Sequence, residues 1–362
     1  YGTKDRITST SYSGKTFNYT YDVNSQLTAV SGNNYSASYA YDSRGNITNK
    51  NINGTSTTFT YSNSDWKDEL TAVNGTPLTY DENGNVLTYG NKSFAWSSGR
   101  NLESITDNDN TYSYTYDESG IRTSKTVNGK TTYYNTKDGV ILSQTDGTNT
   151  MYFQYDTNGV PLGFILNGTQ YFYITNQMGD VISITDAQGN ELAQYSYDEW
   201  GNTLSTSDND IANINPLRYR GYYYDSETGY YYLQSRYYDP SICRFINADI
   251  PEIVNVTKDV YTGINLFPYC NNNPVNNSDP TGYINWDLEF GRASITSAIL
   301  SALGTIALIA FQKTPWGKLF SAVITITAIA SNIYSYSKAI KSAKSYYGKN
   351  SNNFKKIRRY NN

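Results

Sequence analysis

A mainly β body followed by a small α-helical hairpin tail is the architecture this sequence predicts, and three observations carry it. A short Tyr-Asp block recurs from Tyr21 to Asn202. The composition is that of strands and turns, with 38 Tyr, 27 Gly and only 17% charged residues. Charge then divides sharply: Glu289 is the last acidic residue, and Phe290 to Asn362 carries 11 basic and no acidic groups. The preceding 289 residues hold 17 basic against 32 acidic side chains, a charge of −15. An asymmetry of that size points to two units with different partners.

The repeat comes first. Tyr-Asp opens a block at Tyr21, Tyr41, Tyr80, Tyr116, Tyr155 and Tyr197, most copies reading Tyr-Asp-x-x-Gly-x, as in YDSRGN, YDENGN and YDEWGN. Degenerate copies (YSNSDW at Tyr61, WSSGRN at Trp96, TKDGVI at Thr136, TDAQGN at Thr185) fill the gaps at a period of about 20 residues. Alternating runs such as Tyr112-Ser113-Tyr114-Thr115-Tyr116 carry the period-2 signal of a strand. Asp-x-x-Gly or Asn-Gly supplies the positive-φ residue of a hairpin turn. One repeat is thus one β-hairpin, and stacked hairpins share a core that a single one cannot bury. The tyrosines are expected to form ladders through core packing and cross-strand pairing. The functional alternative is an aromatic platform on the shell surface for cell-wall carbohydrate.

Next comes Pro216 to Gly282, where LRYRGYYYDSETGYYYLQSRYYDPSICRFINAD leads to NLFPYCNNNPVNNSDPTG. With the Tyr-Asp blocks and the stretch 173–202, this segment resembles the repeat-associated core of the Rhs/YD-repeat family, over residues 1 to about 282. The resemblance implies a YD-repeat spiral (a partial cocoon) over 1–215, a plug over 216–282, and a variable C-terminal domain over 283–362, often a toxin aimed at competing cells. It also implies secretion or cell-surface display and an immunity protein. A missing N-terminal part is expected, because the chain opens mid-pattern, and with roughly ten repeats an open, curved sheet is expected.

The resemblance implies self-cleavage, which several members perform just after an Asp-Pro-x-Gly boundary, here Asp279-Pro280-Thr281-Gly282, using two aspartates in the manner of an aspartic protease. By motif position the pair is Asp249 and Asp279 and the boundary Gly282-Tyr283. Two close carboxylates sharing a proton supply one base and one acid; the alternative is that both are ordinary turn residues. This chain departs from the pattern in that Asp249 lacks a following Pro-x-Gly, Tyr283 replaces Leu, and Cys243 replaces Gly. Arg236, Tyr237 and Arg244 are assigned to bracing the plug.

The tail holds two uncharged stretches, Ala293 to Gln312 and Leu319 to Ser337, separated by Lys313-Thr314-Pro315-Trp316-Gly317-Lys318. About 20 uncharged residues is the length of a membrane-spanning helix. The membrane-inserting side chains would be Ile295, Ile299, Leu303, Ile306 and Ile309 in the first, and Val323, Ile326 and Ile329 in the second. Trp316 and the far-end Lys and Tyr suit an interface, and small residues such as Ser297, Ser301 and Gly304 permit close helix packing. The bland alternative is a buried hairpin of a small soluble domain. Lys355, Lys356, Arg358 and Arg359 belong to a basic end that faces anionic lipid or nucleic acid, with nucleic acid the less favoured partner; its structural alternative is a solvated end.

Several chemistries are excluded. The chain has no His, which removes Ser-His-Asp and Cys-His catalysis and His-ligated zinc. After Glu289 there is no Asp, Glu, His or Cys at all, so neither metal ligation nor carboxylate acid–base work is available to the tail. No metal, cofactor or small-molecule substrate is expected, and enzyme activity is confined to self-cleavage. Two function classes stay open: a toxin with a membrane-active, non-enzymatic tail, and a surface structural protein whose tail is an anchor. A degenerate cassette is a third. Two Cys, Cys243 and Cys270, are too few for a disulfide framework.

Overall fold

The computed structural model describes residues 6–12, 14–249 and 265–283. The chain divides into two units, Tyr1–Asn285 and Trp286–Asn362. All described residues belong to the first, so the predicted helical hairpin, its inserting side chains and the basic end lie outside the described residues. Among the described residues no helix is long and apolar enough to cross a membrane.

Twenty-one strands of this unit form one antiparallel sheet, and among the described residues each strand pairs only with its neighbours in sequence. The strip runs from Ser9–Tyr12 to Thr203–Thr206. Among the described residues helix is scarce: Asp210–Ile214, capped by the Asn209 side chain accepting from the Ala212 N–H, and two single turns of 3₁₀.

The Tyr-Asp block builds one kind of turn. The Asp42 carboxylate accepts from the N–H groups of Arg44 (2.8 Å) and Asn46 (2.9 Å), and the Asp42 carbonyl accepts from Gly45 N–H at 3.1 Å. Gly45 sits at φ +79°, in the left-handed region that side chains resist. The register slips by one residue between Ala40 and Tyr41, the bulge expected of a hairpin closed this way. The degenerate TDAQGN copy makes the same bonds around Asp186. Asn-Gly pairs close the opposite ends; Asn128 and Gly129 lie at φ +47° and +87°, the two-residue turn that matches strand twist.

The block tyrosines do something more specific than form ladders. Tyr41 donates its hydroxyl to the Leu27 carbonyl (2.6 Å), Tyr61 to Ile47 (3.1 Å), Tyr116 to Leu102 (2.9 Å) and Tyr155 to Ile141 (3.0 Å). Each reaches back 14 residues to the preceding hairpin. The ring packs on the core while the hydroxyl, costly to bury alone, finds a partner one repeat upstream.

The strip curves around a second sheet of four short strands, Tyr223–Asp225, Tyr230–Leu233, Arg236–Asp239 and Arg244–Phe245. Both faces of this plug are buried and its rings pack on one another; Tyr238 stacks on Tyr269 at 4.1 Å between centroids. Side chains tie plug to wall: Arg244 donates to the Tyr61 hydroxyl (2.8 Å) and the Asp68 carbonyl (2.6 Å). Among the described residues the hydrogen-bonded ladder stays open, as expected of so few repeats, yet side chains cross the gap. Tyr35 and Tyr39, early in the strip, both donate to the carboxylate of Glu199, in its last turn (3.2 Å from Tyr35). Cys243 and Cys270 are buried free thiols, and burial pushes the Cys243 thiol up to about 12.

Candidate functional site

The tight hairpin between strands Tyr230–Leu233 and Arg236–Asp239 turns at Gln234, φ +59°. It carries Arg236 into the interior, where only 2% of the residue is exposed. Its guanidinium lies on the Phe245 ring, 3.5 Å from the centroid. The Nη1 group donates to the Leu266 carbonyl at 3.0 Å.

Its Nη2 group lies 3.0 Å from Oδ2 of Asp249 and 3.3 Å from Oδ2 of Asp279. Its Nε donates to the carbonyl of Gly282. One buried arginine therefore joins both predicted aspartates to the predicted cleavage boundary. The sequence reading assigned Arg236 to bracing alone; the structure sets it at the centre of the site. Tyr237, by contrast, packs towards Tyr116 and Arg122, and Arg244 towards Tyr61, both in keeping with bracing.

The segment Asp279–Gly282 is pinned along its length. The Asp279 N–H donates to the Tyr222 hydroxyl (2.7 Å), and the Thr281 carbonyl accepts from both the N–H (3.2 Å) and the hydroxyl (2.8 Å) of Ser235. Gly282 has φ +71°, and a Cβ there would stand 2.5 Å from the Leu233 carbonyl oxygen, so only glycine fits. Asp249 is held by its N–H donating to the Leu266 carbonyl at 2.9 Å. Arg100 approaches it at 3.9 Å and lies 6.0 Å from the centroid of the Tyr283 ring, which is itself exposed.

Electrostatics acts on Asp279. Burial raises the Asp279 carboxyl, Arg236 opposes it, and the charge of Asp249 adds to the rise, leaving Asp279 at about 7. Among the described residues Oδ1 of Asp279 is buried with no hydrogen-bond partner. A carboxyl raised to about 7 thus stands beside a second carboxyl on one buried guanidinium.

A second buried cluster went unnoticed in the sequence. Arg122, on strand Arg122–Val127 of the wall, bonds Asp225 of the plug, with Lys125 and Glu227 completing the network. The signal was present as lone charges within otherwise strand-like runs.

The teneurin YD-shell family model matches residues 2–275, which is most of the chain. The chain belongs to the teneurin YD-shell family. This YD-shell chain is 40% identical, over 225 residues, to the tRNA(Glu)-specific nuclease WapA of Bacillus subtilis subsp. natto, covering 60% of this chain and 10% of that one. It is 36% identical over 110 residues to the double-stranded DNA deaminase toxin A of Burkholderia cenocepacia, covering 30% of this chain and 7% of that one. Among solved structures, TcdB2-TccC3 without its hypervariable C-terminal region superposes with a TM-score of 0.62 at 22% identity, over 74% of this chain and 15% of that one. That likeness carries the fold. The chain spans about a tenth of the length of the WapA proteins it matches. The Rhs/YD-repeat resemblance read from the sequence is borne out. The low ranking given to nucleic acid draws no support from these relatives, two of which are named for tRNA or DNA chemistry, and the relatives lend none to a lipid partner.

Proposed function

We propose that this YD shell is the carrier of a secreted or cell-surface polymorphic toxin, and that it cuts its own chain between Gly282 and Tyr283 to free the C-terminal segment. The observation that carries the reading is the single guanidinium of Arg236 shared by Asp249, Asp279 and the Gly282 carbonyl. In this scheme the ionised carboxylate takes a proton from water, which adds to the Gly282 carbonyl carbon. Arg236 Nε steadies the oxygen as negative charge grows on it. The protonated carboxyl then gives its proton to the Tyr283 nitrogen as the C–N bond breaks, leaving a Gly282 carboxylate and a new amine.

The test is mass spectrometry of the purified full chain. Two products, the second beginning at Tyr283, are expected for the wild type, and neither for folded Asp249→Asn or Asp279→Asn chains. An intact wild type between pH 5 and 8 would sink the cleavage.

For the released segment the reading is a non-enzymatic, membrane-directed effector. It is supported by the two uncharged stretches and by the absence of Asp, Glu, His and Cys after Glu289. A nucleic-acid-directed effector is the second reading, favoured by the names of the relatives and by the eight basic residues from Lys338 onward. Expressing residues 283–362 under tight induction separates them. Loss of membrane potential with intact RNA and DNA supports the first; degraded or deaminated nucleic acid in polarised cells supports the second. Growth with the segment stably in the membrane would make it an anchor instead.

A further inference from the structure

The two aspartates of the candidate site are held by different parts of the molecule. Asp279 is held from the plug: its N–H donates to the Tyr222 hydroxyl, and Ser235 and Arg236 bond the carbonyls of Thr281 and Gly282 that follow it. Asp249 ends a short segment, residues 246–249, that runs between plug and wall. On the plug side the Ile246 N–H donates to the Tyr237 carbonyl at 3.0 Å. On the wall side the Ile246 carbonyl accepts from the Val86 N–H at 3.0 Å, and the Ala248 N–H donates to the Gly84 carbonyl at 3.1 Å. Asn85 and Asn247 face each other between these bonds in an antiparallel bridge.

The wall residues of that contact come from the YDENGN block, in the turn 81–85. Gly84 lies at φ +77°, and a Cβ there would stand 2.8 Å from both the Ala248 Cβ and the Trp66 ring, so this close approach needs glycine. The wall turns again at 98–100, between strands Lys92–Ser97 and Asn101–Asp107, with Ser98 at φ +50° and Gly99 at φ +82°. Asn85 locks the two turns together. Its buried Nδ2 donates to the Asp81 carboxylate and to the Gly99 carbonyl, both at 2.8 Å.

Arg100 leaves the second turn towards Asp249. Its Nη2 donates to the Ala248 carbonyl at 2.8 Å and lies 3.9 Å from Oδ1 of Asp249, and its guanidinium carbon is 6.0 Å from the centroid of the Tyr283 ring. The two carboxyl oxygens of Asp249 thus face guanidinia from two sources, Oδ2 that of Arg236 on the plug and Oδ1 that of Arg100 on the wall. Arg122 and Arg244 also join wall to plug, but through Asp225 and Tyr61. The neighbours of Arg100 are instead the segment that carries Asp249 and the residue beyond the bond to be cut.

We propose that Arg100 is a positioning residue of the cleavage site, through which the wall orients Asp249 and makes the cut depend on the plug being seated against turns 81–85 and 98–100. The inference rests on the self-cleavage reading. At 3.9 Å Arg100 is too far for a hydrogen bond to Asp249. It fixes the peptide just before Asp249 by a hydrogen bond and draws Oδ1 by charge alone, while Arg236 holds Oδ2. A reacting group displaced by about 1 Å loses on the order of a hundredfold in rate, so a contact of this kind governs cleavage without touching the reacting atoms.

The test times the cleavage of pulse-labelled full chains made by cell-free synthesis, with products read on gels and by mass spectrometry. Arg100→Ala, its folding checked by circular dichroism, should cut about ten- to a hundredfold more slowly than the wild type. The Arg100 side chain is 22% exposed, so the space it vacates is open to a small ion. Guanidinium chloride at a low, non-denaturing concentration should restore most of the rate, and sodium chloride at the same concentration should not. Gly84→Ala, which pushes turn 81–85 off Ala248, should slow the cut by at least about tenfold. Gly129→Ala, equally left-handed at φ +87° but with nothing within 4 Å of the added Cβ, should cut as the wild type does. A wild type that stays intact would sink the cleavage reading and this inference with it. A wild type that is cut, with Arg100→Ala cut equally fast or slowed without any response to guanidinium, would overturn the inference and leave the cleavage reading standing.

Discussion

Arg122 and Asp225 face each other with both side chains fully buried, joined by hydrogen bonds of 2.6 and 3.1 Å. The guanidinium is ringed by tyrosines, Tyr232 lying 4.3 Å away. Burial alone would raise the Asp225 carboxyl, but Arg122 and Lys125 outweigh it and hold it below its ordinary value. This contact fastens wall to plug across 103 residues of sequence.

Removing one partner of such a pair should cost far more than the pair itself contributes. Arg122→Met leaves Asp225 with Lys125 alone, and a loss of about 3–5 kcal/mol is expected in urea denaturation. The double variant Arg122→Met with Asp225→Leu should recover a good part of that loss. Equal damage in single and double variants would show that the pair is not coupled in the way described.

Stability should fall as pH rises through neutrality. Burial lifts Glu199 to about 7 from an ordinary value near 4.5, and Asp279 to about 7 from 3.8. A group whose folded value is raised favours the folded state fully below its unfolded value and loses that contribution as pH climbs through the folded value. The window is therefore about pH 4 to 7. Melting temperatures measured from pH 4 to 8 should decline, and less so for Glu199→Gln, whose amide oxygen still accepts from Tyr35 and Tyr39. A variant profile that tracks the wild type would remove Glu199 from the account.

Two glycines separate backbone strain from site geometry. Gly54 lies at φ +88° with nothing within 4 Å of an added Cβ, so Gly54→Ala should cost only the left-handed strain, about 1–2 kcal/mol. Gly282→Ala adds a collision with the Leu233 carbonyl and moves the Gly282 carbonyl off Arg236. Cleavage, followed as the rate of product formation on gels, should slow at least tenfold in Gly282→Ala and be unchanged in Gly54→Ala.

How much was legible in the sequence depended on the range of the interaction. The Asp42 and Asp186 turns were readable because every donor and acceptor lies within four residues. Asp249 and Asp279 were found by motif position, and the structure brings them to one guanidinium. Arg236 was named but set to bracing, since Asp249, Asp279 and Gly282 lie 13, 43 and 46 residues on and only the fold assembles them around it. Arg122 was missed for the same reason. The tyrosine hydroxyls were misjudged more subtly: alternation told where the rings go, not which carbonyl one repeat upstream would take the proton donor.

Because, among the described residues, each wall strand forms its ladder only with the strands just before and after it, the wall has almost no long-range strand pairing to await. Such a ribbon can harden hairpin by hairpin in the order in which residues leave a ribosome or a translocation channel. The plug residues arrive after the last hairpin and meet a surface already formed. On the proposed scheme, which seats Arg236 between Asp249 and Asp279, self-cleavage would be the final act of assembly: an unfinished wall would have no scissors, and the downstream segment would stay tethered until the container is complete.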